Sequence, residues 1–499
     1  MRRCGILYPI SSLPSRFGIG CFSKEAYEFV DFLHEAGQSC WQILPVGPTG
    51  FGDSPYQPVS AFAGNPYFIS PEKLIEDGLL TWEECNGAYF GSDETRVDYG
   101  ALYENRYPLL RTAFNRFRQR EDLREEYEEL LGRENAWLED YVLYMALKEK
   151  YSGASWQEWE EDDRRRKAEA MKKVQEEHAE TCDFVRFQQF LFDRQWRALK
   201  AYANEKGIEI IGDIPFYTAL DSADVWAHPE AFLMDKDLKP TFVAGCAPDA
   251  FSATGQLWGN PIYNWTKLAA DNYAWWIERF RRNLDLYDVL RIDHFHGFAE
   301  YYAIPYGDEN ALNGTLKKGP GMKFFNSVKK QLGELSLIAE DLGTVTETNE
   351  KLLKDSGFPG MKVLQFAFTS WDSKYVTHRH EKNCVVYTGT HDNTTLRAWV
   401  EEINEGSRDF TRRYINSRNT DYGALVWDLI REAYRSVADL CIIPIQDYLV
   451  EGREARMNEP GTQGNNWQWR VRPNFLSADL ARSIRELADL YGRAPIEKP

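Results

Sequence analysis

No stretch of the 499 residues approaches the ~18 consecutive apolar residues that a membrane-spanning helix needs. The opening Met1-Arg2-Arg3-Cys4-Gly5-Ile6-Leu7-Tyr8-Pro9 breaks its short apolar run at Pro9 and does not read as a secretory leader. The cysteines (Cys4, Cys21, Cys40, Cys85, Cys182, Cys246, Cys384, Cys441) are scattered, without a Cys-x-x-Cys pair. That spacing argues against a disulfide framework or zinc site and for reduced thiols in the cytoplasm. Positive charge is scarce as well. With 59 Lys and Arg against 77 Asp and Glu, the net charge is −18, and no basic stripe offers itself to nucleic acid or to an anionic membrane. Also missing are the Gly-x-Ser-x-Gly elbow, the Gly-x-x-x-x-Gly-Lys phosphate loop and the His-Glu-x-x-His helix. These absences leave a soluble protein acting on something other than nucleic acid or membrane.

Aromatic residues, by contrast, are plentiful: 16 Trp, 27 Tyr and 28 Phe supply both core and flat surfaces suited to ring ligands. Eight apolar, strand-like runs recur, at 4–8, 41–46, 208–216, 288–295, 335–342, 361–368, 383–390 and 441–449. Helical patterns separate them. One spans 272–284; another spans 345–356, opened by a Thr344-x-x-Glu347 capping box and closed by Gly357. Mostly continuous apolar strands alternating with helices predict a parallel sheet, and eight such units predict an α/β fold of the (β/α)8 TIM-barrel type. From 71 to 206 charge and helical periodicity take over, around 104–131, 134–151, 156–180 and 183–206. This predicts a helical subdomain inserted between barrel parts at 1–70 and 207–499, with a further inserted loop at 217–264. The charged run 159–167 within it reads as a solvated helix face.

In a (β/α)8 barrel the chemistry gathers at the carboxyl ends of the strands. There the sequence repeats one feature. Gly212-Asp213-Ile214-Pro215, Arg291-Ile292-Asp293-His294, Ala339-Glu340-Asp341-Leu342 and Gly389-Thr390-His391-Asp392 each end an apolar run on an acid. Strand alternation puts Arg291 and Asp293 on one face. That pair alone could be a structural ion pair, but four acids converging on one rim repel one another and raise one another's pKa values. Paired carboxylates are the apparatus of glycosyl transfer, one as nucleophile and one as general acid/base. His294 and His296 share a face and could begin a metal site. No third ligand is evident, so a hydrogen-bonding role towards substrate is the better reading for His294.

These motifs, with Gly5-Ile6-Leu7-Tyr8-Pro9, Asp53-Ser54-Pro55-Tyr56-Gln57, Phe251-Ser252-Ala253-Thr254-Gly255-Gln256-Leu257-Trp258-Gly259-Asn260-Pro261, Pro460-Gly461-Thr462 and Asn465-Asn466-Trp467, resemble glycoside hydrolase family 77 over nearly the whole chain. This is the 4-α-glucanotransferase (amylomaltase or disproportionating enzyme) family of the retaining α-glucan clan. The resemblance implies Asp293 as nucleophile, Glu340 as general acid/base and Asp392 as the third, transition-state-stabilising carboxylate. It implies Arg291 as the clamp on Asp293. It also implies a donor-sugar subsite of Tyr56, Asp213, His294 and His391, substrate contacts at Ser54 and Asn465, Gln256 and Trp258 towards the acceptor, and Asp341 either behind the acid/base or on the acceptor side. The implied substrates are maltooligosaccharides and glycogen- or starch-derived glucans, with no metal and no cofactor. A hydrolase of the same clan is the alternative, since water and sugar use the same acids; a non-catalytic glucan-binding protein is more remote.

Overall fold

A computed structural model describes residues 2–495 except Glu134, Asp249, Ala250, Phe251 and Thr344. Eight parallel strands form the barrel: β1 Arg3–Leu7, β2 Cys40–Gln42, β3 Glu209–Ile214, β4 Val289–Ile292, β5 Leu337–Ala339, β6 Gly360–Val363, β7 Cys384–Tyr387 and β8 Leu440–Pro444. Their order around the sheet is β6-β7-β8-β1-β2-β3-β4-β5. The remaining seam, between β5 and β6, is bridged by the Ala339 N–H on the Pro359 carbonyl at 2.9 Å. The Met361 N–H donates to Asp341 Oδ1 across the same seam, at 2.7 Å. The expected (β/α)8 barrel is therefore the observed one.

Each apolar run found its strand, but several strands are shorter than their runs. The reason is that the chain stays buried after leaving the sheet. Leu364–Thr369 after β6 and Ile445–Tyr448 after β8 are helical turns rather than strand, although Leu364, Ala367, Phe368, Ile445 and Tyr448 are all buried. Burial alone cannot tell such a turn from a strand. The helix expected at 345–356 is Glu347–Ser356, capped by Thr346, whose hydroxyl accepts the Asn349 N–H at 3.2 Å, and it ends at the left-handed Gly357. Thr344, the expected cap, lies outside the described residues. The helix expected at 272–284 is Ala274–Leu286.

Between β2 and β3 the chain is helical, with Tyr99–Phe117, Arg124–Arg133, Asn135–Lys150 and Ala179–Glu205 as its main elements. The last of these reaches back onto the barrel. Trp196 packs on Phe22 at 5.3 Å between ring centroids, and its indole N–H donates to the Leu286 carbonyl. A four-stranded antiparallel sheet that the sequence pattern did not reveal stands above the rim, from Phe242–Cys246, Gln256–Pro261, Glu300–Pro305 and Thr315–Lys318. Among the described residues no helix is long and apolar enough to cross a membrane.

Gly212, which sets the approach of Asp213, has no room for a side chain: a Cβ there would lie 2.2 Å from the buried Tyr287 ring. Gly212→Ala is expected to lower stability by about 1–3 kcal/mol, the usual cost of overpacking, read as a fall in the thermal midpoint. An unchanged midpoint would show that Tyr287 can move aside freely.

Candidate active site

Register alone brings the key side chains together. In parallel pairing Asp213 of β3 sits opposite Arg291 of β4, both facing the barrel interior. Arg291 Nη1 donates to Asp213 Oδ2 at 2.5 Å and to Asp293 Oδ1, one step past the end of β4, at 3.2 Å. Ile292 of β4 pairs with Ala339 of β5, so Asp293 and Glu340 emerge side by side at neighbouring strand ends. The same-face expectation for Arg291 and Asp293 thus holds as a direct contact.

The electrostatics separate the acids. Burial opposes the charge on Arg291, but Asp213 and Asp293 outweigh it and hold its pKa well above the usual arginine value. Glu340 is pushed up to about 8, chiefly by burial and reinforced by Asp293, while Arg291 pulls the other way. Its two oxygens accept backbone N–H groups, Oε2 from His294 and Oε1 from Leu342, both at 2.8 Å. These donors favour the charged form, yet desolvation wins. They also fix the carboxyl in one orientation. His294 adopts a left-handed φ of 50°, a costly conformation for a residue with a Cβ, and it is this turn that aims its N–H at Glu340. Asp213 is pushed up to about 7, first by burial and then by Asp293, with Arg291 opposing. Its Oδ2 also accepts the Tyr56 hydroxyl at 2.8 Å, while its buried Oδ1 meets no donor among the described residues.

Aromatic rings wall the cleft. Tyr56 stacks on His391 with centroids 5.0 Å apart and planes 13° apart, and Trp467 covers both, at 5.7 Å and 6.0 Å. On the other side Trp258 stands edge-on to His294 at 5.2 Å, with its indole N–H on Gln256 Oε1 at 3.0 Å. Burial depresses the pKa values of His294 and His391, favouring neutral imidazoles. Asp392 Oδ1 accepts from Asn458 Nδ2 at 2.7 Å and lies 3.4 Å from His391 Nε2.

Three of the expected substrate residues are placed differently from the rest. Ser54 Oγ accepts the Tyr56 N–H at 3.2 Å and so shapes the turn presenting that ring. Asp341, buried, is committed to the β5–β6 seam through Met361. Asn465 is exposed on an outer loop, in a left-handed conformation, its carbonyl held by Arg96 at 3.3 Å. Three residues were missed: Trp467, Asn458 and Tyr217, whose ring packs near Trp258 and His294 while its buried hydroxyl meets no partner among the described residues. Trp467 stood in a quoted motif and could have been picked out; the other two carried no signal. Among the described residues no three His, Cys, Asp or Glu side chains come close enough together to hold a metal ion.

An eight-stranded parallel barrel with an arginine-paired aspartate and a buried glutamate sharing one aromatic-walled rim defines a (β/α)8 enzyme. Residues 8–477 match the family model described as 4-alpha-glucanotransferase, glycoside hydrolase family 77. The chain is 47% identical to a 4-alpha-glucanotransferase of Clostridium butyricum over 97% of this chain and 99% of that protein. It is 43% identical to one of Thermus thermophilus over 99% of each. Its backbone superposes on an amylomaltase from Streptococcus agalactiae, solved in complex with acarbose, with a TM-score of 0.97 at 39% identity, covering 99% of this chain and all of that one. The chain belongs to glycoside hydrolase family 77, the 4-α-glucanotransferases.

Proposed function

We propose that the protein moves α-1,4-glucan segments from a maltooligosaccharide or glycogen- or starch-derived donor to the 4-hydroxyl of an acceptor glucan or glucose, by double displacement with retention. Asp293 attacks the anomeric carbon as Glu340 gives its proton to the glycosidic oxygen, releasing the reducing-end fragment. Glu340 then takes the proton from the acceptor hydroxyl, whose oxygen displaces Asp293 from the sugar. Arg291 aims Asp293 through a charge-assisted hydrogen bond. Asp392 holds hydroxyls of the distorted sugar; Tyr56, His294, His391, Asp213 and its free Oδ1 line the donor side, and Gln256 and Trp258 face the acceptor. The chemistry as written needs no metal or cofactor. The eight cysteines form no disulfide among the described residues, which fits a reducing compartment such as the cytoplasm.

The observation that carries the reading is the contrast between neighbouring acids: Glu340 pushed up to about 8 beside Asp293, which Arg291 pins. A general acid that keeps its proton at neutral pH next to an anionic nucleophile is what the first step demands. Incubation with pure maltotriose tests the outcome. A ladder of longer oligomers together with glucose, without a net rise in reducing ends, is expected; only shortened sugars with rising reducing ends would assign the chain to hydrolysis.

A further inference from the structure

Asp392 sits on the loop between β7 and the helix Leu396–Glu402, with its side chain 41% exposed. A carboxylate so open would rotate freely if nothing held it. Both ends of the loop are pinned by one buried acid: Asp447 accepts the Thr388 hydroxyl at 2.6 Å and the Leu396 N–H at 2.8 Å. The middle is gripped from elsewhere. Asn458 donates its backbone N–H to the His391 carbonyl at 3.1 Å and its side-chain amide to Asp392 Oδ1 at 2.7 Å. Its neighbour Arg456 donates to the Asp392 carbonyl at 2.9 Å and, through Nε, to the Asn458 carbonyl at 2.8 Å. The same segment carries the ring wall, since the Trp467 N–H donates to the Met457 carbonyl at 2.8 Å.

We propose that Asn458 is the positioning residue of the third carboxylate: it occupies Oδ1 and leaves Oδ2 as the single oxygen offered to the sugar. The proposal rests on the reading of Asp392 as the group that stabilises the distorted ring. An amide suits this task, because it donates to the carboxylate without neutralising it, where an arginine or lysine would spend its charge. Fixing the carboxylate before substrate arrives removes the rotational freedom that would otherwise be lost in the transition state. The segment 456–467 therefore sets the Trp467 wall and the Asp392 carboxylate together. A shift of this segment would move both at once.

The test is a double-variant cycle on maltotriose disproportionation, measuring kcat and KM for Asn458→Ala, Asn458→Asp, Asp392→Asn and Asn458→Ala with Asp392→Asn. Asn458→Ala is expected to lower kcat about 10- to 100-fold, the worth of a hydrogen bond to a charged group, with KM within about twofold. Asn458→Asp, isosteric and able to keep the backbone bond to His391, sets carboxylate against carboxylate and should cost at least as much. In the Asp392→Asn background Asn458→Ala should cost nothing further, because the charge it served is gone. An undiminished cost in that background, or full kcat in Asn458→Ala and Asn458→Asp while Asp392→Asn is crippled, would overturn the proposal. Full turnover in Asp392→Asn itself would instead overturn the reading of Asp392 on which the proposal stands.

Discussion

Glu340→Gln is expected to slow transfer from maltotriose by about 10²–10⁴-fold, the range set by loss of a general acid/base. The substitution also leaves an amide NH₂ facing one of the two N–H groups, from His294 and Leu342, that now meet carboxyl oxygens. A conflict of donors costs about 1–3 kcal/mol, so the variant's thermal midpoint must be checked beside its rate. A donor that needs no proton separates the two effects. With α-maltosyl fluoride the first displacement should survive in Glu340→Ala, releasing one fluoride per enzyme and then stalling for want of a base. Asp293→Asn should release none. The wild-type pH profile carries the same assignment. Glu340 is pushed up to about 8, so the acid form is complete well below that value, and kcat/KM should fall as pH rises through it. In Asp293→Asn the negative neighbour is gone and the Glu340 pKa should drop, a change that the carbon-13 resonance of its carboxyl would report. A Glu340 pKa that stays put would show that burial alone sets it.

The barrel was legible because eight apolar runs recur with helices between them, and register then does the rest. Asp213 lies opposite Arg291, and Asp293 emerges beside Glu340, for no reason beyond the pairing of β3 with β4 and β4 with β5. The antiparallel sheet above the rim was not legible. Thr315–Lys318 is exposed along its whole length, so it lacks the alternation by which a strand announces itself. Within the site, the acids at strand ends could be read from sequence, but their holders could not. Asn458 lies 66 residues from Asp392, and nothing in either segment says that they meet. Asp341 was legible only as a pair of alternatives. Its place beside Glu340 allowed a position behind the site or towards the acceptor; consecutive residues leaving a strand point apart, and its carboxylate turns behind the site to the β5–β6 seam.

At pH well above the raised pKa of Asp213, Arg291→Met is expected to cost about 3–5 kcal/mol of stability, because breaking a buried ion pair leaves an uncompensated charge behind. The side chain of Arg291 is 3% exposed and that of Asp213 wholly buried; without the guanidinium, Asp213 keeps only the Tyr56 hydroxyl. The cost should depend on pH, and the sign follows from the direction of the shift. Asp213 already sits at about 7 in the folded protein, above the value of about 3.9 expected when unfolded. Removing Arg291 raises it further. An acid whose folded pKa is raised contributes stability that is complete below the unfolded pKa and lost as pH rises through the folded one. The deficit of the variant against wild type should therefore be small near pH ~4 and keep growing beyond pH ~7. Urea unfolding of both proteins across that range measures it; a deficit that is flat with pH would mean that Arg291 stabilises by packing instead. Adding Asp213→Asn to Arg291→Met removes the stranded charge and should recover much of the lost stability. It should recover little of the activity, since Asp293 would still have no guanidinium to aim it.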